Sequence, residues 1–133
     1  MNAKLLFSVV LFALSTHIAG CARNEVSFST DVQPILQASC LECHDSSGEG
    51  MSASGLSVVD YASIMKGTDL GPVVVAGSSM SSALYLVVAG KTAPEIRMPP
   101  HHSESWAEGR GTQLSADQID IIAMWIDQGA ADN

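Results

Sequence analysis

Positive charge is scarce in this chain: six Lys and Arg stand against fourteen Asp and Glu, for a formal net charge of −8. Affinity for nucleic acid comes largely from neutralising phosphates with cations, so this balance argues against a nucleic-acid partner. Charged residues of both signs make up only 15% and aromatics only 5%, so the ordered part must fold economically. Long apolar runs are missing as well. The best, Leu5 to Leu14 with Ser8 inside it, falls well short of the roughly 20 residues that a membrane-spanning helix takes. No strand-like alternation persists long enough to suggest a sheet, and there is no internal repeat. Eleven Gly and five Pro interrupt the chain too often for a coiled coil. At 133 residues, one domain is the expectation. Cysteine is present only three times. An odd number cannot all pair within one chain, so each needs its own reason.

The N-terminus supplies the first. Lys4 followed by the short apolar stretch reads as an export signal over residues 1–20. It is apolar on every side, unlike the one-striped helix of a folded domain. Ile18-Ala19-Gly20-Cys21 resembles the lipobox of bacterial lipoproteins, which implies cleavage before Cys21 and lipid on its sulfur and amine. Several acyl chains suffice for stable anchoring, at about 0.8 kcal/mol per buried CH₂. The alternative is ordinary cleavage, with Cys21 left as a free or disulfide-bonded thiol. Residues 21–27 would then be a lipidated tether, at most about 20 Å long from Ala22 to Ser27, and residues 28–133 the folded domain. Such a product is exported, on the periplasmic or cell-surface side, and lipid-anchored to a bacterial membrane. Losing Lys4 leaves five basic against fourteen acidic side chains, a formal −9.

Cys40-Leu41-Glu42-Cys43-His44 accounts for the other two cysteines. C-x-x-C-H is the attachment signature of a c-type haem. Upstream, Thr30-Asp31-Val32-Gln33 has the form of a capping box, with Thr30 as N-cap. Pro34 falls in the first turn, where its missing N–H costs little. Val32, Ile35, Leu36, Cys40 and Cys43 follow at i, i+3, i+4, i+8 and i+11, one stripe of an α-helix. Cys40, Cys43 and His44 would then share a face, with two thioether bonds to the porphyrin and His44 Nε2 as the proximal iron ligand. Three other readings compete. A thioredoxin-like dithiol wants its nucleophile at a helix N-terminus, and here the pair closes a helix. A zinc site could be assembled from Cys40, Cys43, His101 and His102, although adjacent histidines suit one tetrahedron poorly. A plain disulfide gives His44 no reason.

Further along, residues 45–54 are Gly/Ser-rich and read as a flexible loop. Asp60 can cap a helix over Tyr61–Lys66, stopped by Gly67. Ser78 or Ser79 can cap another running to about Ala89, before Gly90. Residues 91–113 form a long irregular stretch with three Pro, His101, His102 and Trp106. Ser115-Ala116-Asp117-Gln118 is a second capping box, opening a helix to Gln128 whose stripe is Ile119, Ile122, Ala123 and Ile126.

Taken together, these pieces resemble the small planctomycete-type domains of the mono-haem cytochrome c superfamily. The resemblance rests on Phe28…Val32-x-Pro34-Ile35-Leu36 before the haem motif and on Gly55-Leu56…Tyr61…Lys66-Gly67…Asp69-x-Gly71-Pro72 after it. Ala76-Gly77…Ser82-x-Leu84-Tyr85, Met98-Pro99-Pro100 and Leu114-Ser115…Ile119…Trp125-Ile126-Asp127-Gln128-Gly129-Ala130 complete it. It implies an all-α small cytochrome c fold, with N- and C-terminal helices packed crosswise around one covalent haem c. It also implies Met98 as sixth ligand, in keeping with a soft thioether donor that raises the potential of a His-ligated haem. His101 or His102 is the alternative, as is an open sixth position. By the same resemblance, the carbonyl that accepts from the ligating histidine's other nitrogen belongs to Gly71-Pro72. Tyr85 and Trp125 are read as haem-pocket or helix-packing residues.

The expected function is one-electron transfer with no catalysis of its own. Two alternatives remain: a five-coordinate haem that binds or reduces peroxide, oxygen or nitric oxide, and a module that docks onto a larger membrane-associated enzyme. An acidic carrier of this kind favours a redox partner with a basic docking surface.

Overall fold

In the computed structural model, residues 25–100 and 112–133 are described. The export signal, Cys21, His101, His102 and Trp106 lie outside them. The described chain is helical, with no strand and a single isolated bridge, Thr68 to Gly71. A π-helical turn, Phe28–Val32, runs into α1 (Gln33–Ser39), followed by α2 (Leu41–His44), α3 (Glu49–Ser54) and α4 (Tyr61–Lys66). After a 3-10 turn at Ser79–Ser81 come α5 (Ala83–Val88), a second 3-10 turn at Pro94–Ile96, and α6 (Ala116–Asp127).

The opening is capped differently from the expectation. Ser27, not Thr30, is the N-cap: its hydroxyl accepts from Thr30 N–H at 3.3 Å, and Asp31 Oδ2 reaches back to Ser27 N–H at 2.8 Å. The first turn is a π turn, which places the reach-back residue one position later than in an α-helix. The long single stripe is also corrected. The helix breaks at Cys40, where φ is −128° and ψ −29°, so that α1 and α2 are separate pieces joined at the first cysteine.

Other local signals act as the sequence suggests. Asp60 Oδ1 accepts from Ser63 N–H at 2.8 Å to start α4. Ser115 and Gln118 form the full capping box of α6. Leu114 and Ile119 occupy the positions of a hydrophobic staple around it. The third helix starts later than expected: Ser79–Ser81 winds as a 3-10 turn, and Ser82 stands at the N-cap of α5. Ser82 is fully buried. Its hydroxyl accepts from Val75 N–H at 2.8 Å and donates to Ser78 carbonyl at 2.8 Å, so its polarity is satisfied.

The core sits where the two ends of the domain meet. Phe28, Val32, Leu36, Ile122, Trp125 and Ile126 are all buried. Phe28 packs on Tyr61 edge-to-face and on Trp125, both at 5.3 Å between ring centres. Such pairs contribute about 0.5–1.5 kcal/mol beyond the area they bury. Tyr61 Oη donates to Ala130 carbonyl at 2.9 Å, and Trp125 Nε1 to Ala131 carbonyl at 2.9 Å. Backbone bonds close the ends together: Val26 N–H to Gln128 Oε1 at 2.8 Å, and Ser29 N–H to Asn133 carbonyl at 2.9 Å. The helix α6 is tied at its other side by Asp127, whose carboxylate accepts from Ser79 N–H and hydroxyl at 2.7 and 3.0 Å. Trp125 thus belongs to this hub, and α2 and α3 pack against each other beside it.

Candidate functional site

The site is built around His44. At the end of α2 its N–H donates to Cys40 carbonyl at 2.9 Å, and its carbonyl accepts from Val58 N–H at 2.9 Å. The ring is aimed by a third bond, 3.1 Å between Nδ1 and Leu56 carbonyl. A carbonyl can only accept, so Nδ1 carries the proton and Nε2 is left with a free lone pair. The carbonyl in this place is therefore Leu56's and not that of the Gly71-Pro72 pair, which corrects the expectation for Pro72. The cause is local. Gly55 ends α3 with φ +76°, a left-handed conformation that glycine adopts without penalty. The chain turns there and runs back along His44. Pro72 is exposed, next to a tight turn in which Thr68 and Gly71 exchange backbone bonds at 2.9 and 3.0 Å.

Residues 45–54, expected as a loop, hold α3 instead. Its glycines serve close approach. A Cβ on Gly50 would lie 2.6 Å from His44 Cε1 and 2.7 Å from Nε2. No larger residue leaves that nitrogen clear. Gly48 lies as closely against the backbone of Cys43. Serine and glycine content pointed to flexibility, and only the Gly55-Leu56 pair, quoted for the family likeness, hinted that this segment touches the motif.

Cys40 and Cys43 are both half-buried free thiols. Burial pushes the Cys40 thiol up to about 11, with Cys43 beside it adding to the rise. A thiol that keeps its proton at neutral pH is a poor redox nucleophile, which tells against the thioredoxin-like reading. Leu41, Leu56, Tyr85, Val87 and Met98 are apolar side chains only partly buried against the core. Tyr85 lies under Lys91, whose Nζ is 5.9 Å from the ring centre. Met98 is half-buried, with its N–H on Val87 carbonyl at 3.2 Å.

These residues fit a haem. Two neighbouring thiols, an imidazole whose tautomer leaves Nε2 free, a glycine that keeps that nitrogen clear and a partly open apolar lining are what covalent attachment with axial histidine ligation requires. A helical domain with this arrangement is consistent with a small cytochrome c-like fold. Residues 40–102 match the family model of planctomycete cytochrome C, which supports a cytochrome c domain of that type over those residues. Of the pieces outside the match, the π turn through Phe28 and α6 through Trp125 meet Tyr61 inside it in the aromatic hub. No curated protein and no solved structure gives a significant match. The family implies haem c and haem-based electron transfer, and its domains are typically exported. Among the described residues no helix is long and apolar enough to cross a membrane.

Proposed function

We propose that this domain is a one-electron carrier with a single haem c, axial ligands His44 and Met98, and a lipid anchor on Cys21. The observation that carries the reading is the preset imidazole: Nδ1 held by Leu56 carbonyl, Nε2 kept clear by Gly50. Haem bound there supplies a reversible Fe(III)/Fe(II) couple. Cys40 and Cys43 hold the porphyrin through thioether bonds. The bond from Leu56 keeps the imidazole correctly turned. Met98 offers a soft donor from a segment already packed on the core, and Pro99 and Pro100 limit how far its sulfur can wander.

Protein exported from a host with haem-attachment machinery tests this directly. One haem per chain by pyridine haemochrome, retained in acid acetone, is expected together with a ferric iron–thioether charge-transfer band. High-spin iron that binds carbon monoxide at once would replace the His/Met carrier with a ligand-binding haem. Acid-extractable colour, or none, would remove the haem reading altogether.

With the domain gripping its own chain at Val26, lipid on Cys21 would hold the haem close to the bilayer surface. The acidic surface favours a partner with a basic docking face. Electron exchange with a cationic partner is expected to slow as ionic strength rises, and a flat salt dependence would discard charge-guided docking.

A further inference from the structure

We infer that one end of the domain, residues 75–82 together with the last turn of α6, rests on a lipid bilayer, with Val75, Met80 and Met124 as its apolar contacts. This rests on the lipid anchor proposed above for Cys21. Large apolar side chains exposed singly are ordinary on a protein surface. These three are gathered at one end. Met80 is 62% exposed, Met124 46% and Val75 43%.

Hydrogen bonds bring them together. Val75 N–H donates to Ser82 Oγ at 2.8 Å, which closes the loop on itself. Gly77 N–H donates to Ile126 carbonyl at 2.7 Å, and Ser78 N–H to Val75 carbonyl at 3.0 Å, so the turn that carries Val75 is seated on the end of α6. Met80 follows Ser79, whose N–H and hydroxyl donate to the Asp127 carboxylate at 2.7 and 3.0 Å. Met124 is three residues before Asp127, one turn back on the same side of the helix.

The chain's own tether selects what covers this end. Val26 N–H donates to Gln128 Oε1 at 2.8 Å, and Gln128 lies four residues beyond Met124, again on the same side. The tether therefore leaves the domain beside the apolar end. Cys21 is five residues before Val26, a reach of at most about 18 Å. A tether so short sets an effective concentration on the order of mM, at which contacts too weak to bind alone still hold. Charge narrows the lipid. Asp120, one turn before Met124, is exposed, and so is Asp127. Two carboxylates at this end are repelled by anionic headgroups, so a headgroup without net charge fits.

The test is hydroxyl-radical footprinting of the exported, lipidated chain in vesicles of phosphatidylcholine and phosphatidylethanolamine. The solution reference is the same chain exported behind an ordinary signal with Cys21→Ser. Oxidation of Val75, Met80 and Met124 is expected to fall severalfold in the vesicles. Leu70 and Ile96, fully and 55% exposed on turns that hang from α3 and α5, should react as they do in solution. In a Met80→Ser, Met124→Ser variant, which leaves the buried core intact, Val75 should return toward its solution rate. The mass of the N-terminal peptide reports the lipid separately, and its absence overturns the anchor together with this inference. Lipid present with all three residues as reactive as in solution, or with Leu70 and Ile96 protected equally, overturns the docking face and leaves the anchor standing. Protection in the Cys21→Ser reference that grows with protein concentration would give this end to a second copy of the chain, and overturn the bilayer contact as well.

Discussion

The histidine side of the site and the methionine side are built in different ways. His44 is held through its N–H, its carbonyl and its ring nitrogen, by Cys40, Val58 and Leu56 in turn, and α3 is pressed against its imidazole. Met98 hangs on one backbone bond to Val87, at the end of a segment whose only regular turn is Pro94–Ile96. Among the described residues the proposed first ligand is therefore preset by the fold, while the proposed second is carried on a strap tied to α5. On the proposed ligation, this difference makes the histidine side the one that decides whether haem is held, and the methionine side the one that sets its potential.

The largest break in that comparison comes from Gly50→Ala. Alanine is favoured over glycine in a helix by about 1 kcal/mol, so propensity alone would stabilise α3. The added Cβ, 2.7 Å from His44 Nε2, instead forces the ring off Leu56 carbonyl or α3 off the ring. We expect a net loss of about 1–3 kcal/mol, the usual cost of overpacking, and a large drop in haem content per chain. The exposed Ser52→Ala in the same helix is the control, and haem content should stay at wild type there. Equal haem content in both variants would show that the imidazole is not preset as described.

What could be read from the sequence divides along similar lines. Side-chain patterns with local consequences were legible: Asp60 before α4, the Ser115–Gln118 box, the α6 stripe, and C-x-x-C-H itself. At the opening, Thr30…Gln33 has the spacing of a capping box on an α-helix, whereas the π turn makes Ser27 the N-cap with Asp31 reaching back one position later. The α3 helix was hidden by its own function. Gly48 and Gly50 lower helix propensity and read as loop, yet they are there so that the chain can approach Cys43 and His44. The Leu56 carbonyl could not be found at all from side-chain types, since every residue has one. It is the turn at Gly55 that lays residues 56–58 alongside His44.

On the methionine side the expected effect is smaller and of another kind. Met98→Ala should leave covalent haem content unchanged, because neither thiol nor His44 depends on that strap. It should abolish the iron–thioether band and lower the midpoint potential. A spectrum that keeps the band would assign the sixth ligand elsewhere, with His101 and His102 as the next residues to replace. Loss of haem itself in this variant would contradict the asymmetry, since it would make the strap as necessary as the histidine side.

The smallest effect tests how far the support of His44 extends. Val58, bonded to the His44 carbonyl, is followed closely by Asp60, the N-cap of α4, whose Tyr61 enters the aromatic hub. Hydrogen bonds from Ser63 hold the Asp60 carboxyl below its ordinary value of 3.8. A carboxyl lowered in the folded state contributes stability that is fully present above the unfolded value and is lost as pH falls through the folded one. Asp60→Asn keeps an oxygen for Ser63 N–H but cannot bind that proton. Its stability should lie below wild type at neutral pH, and the gap should close on acidification, as followed by denaturant melts across the acid range. The thioether band should be unaffected, because the cap belongs to the chain that supports His44 and makes no contact with the Met98 strap in the network described. A gap that is constant with pH would mean that Asp60 acts through shape alone.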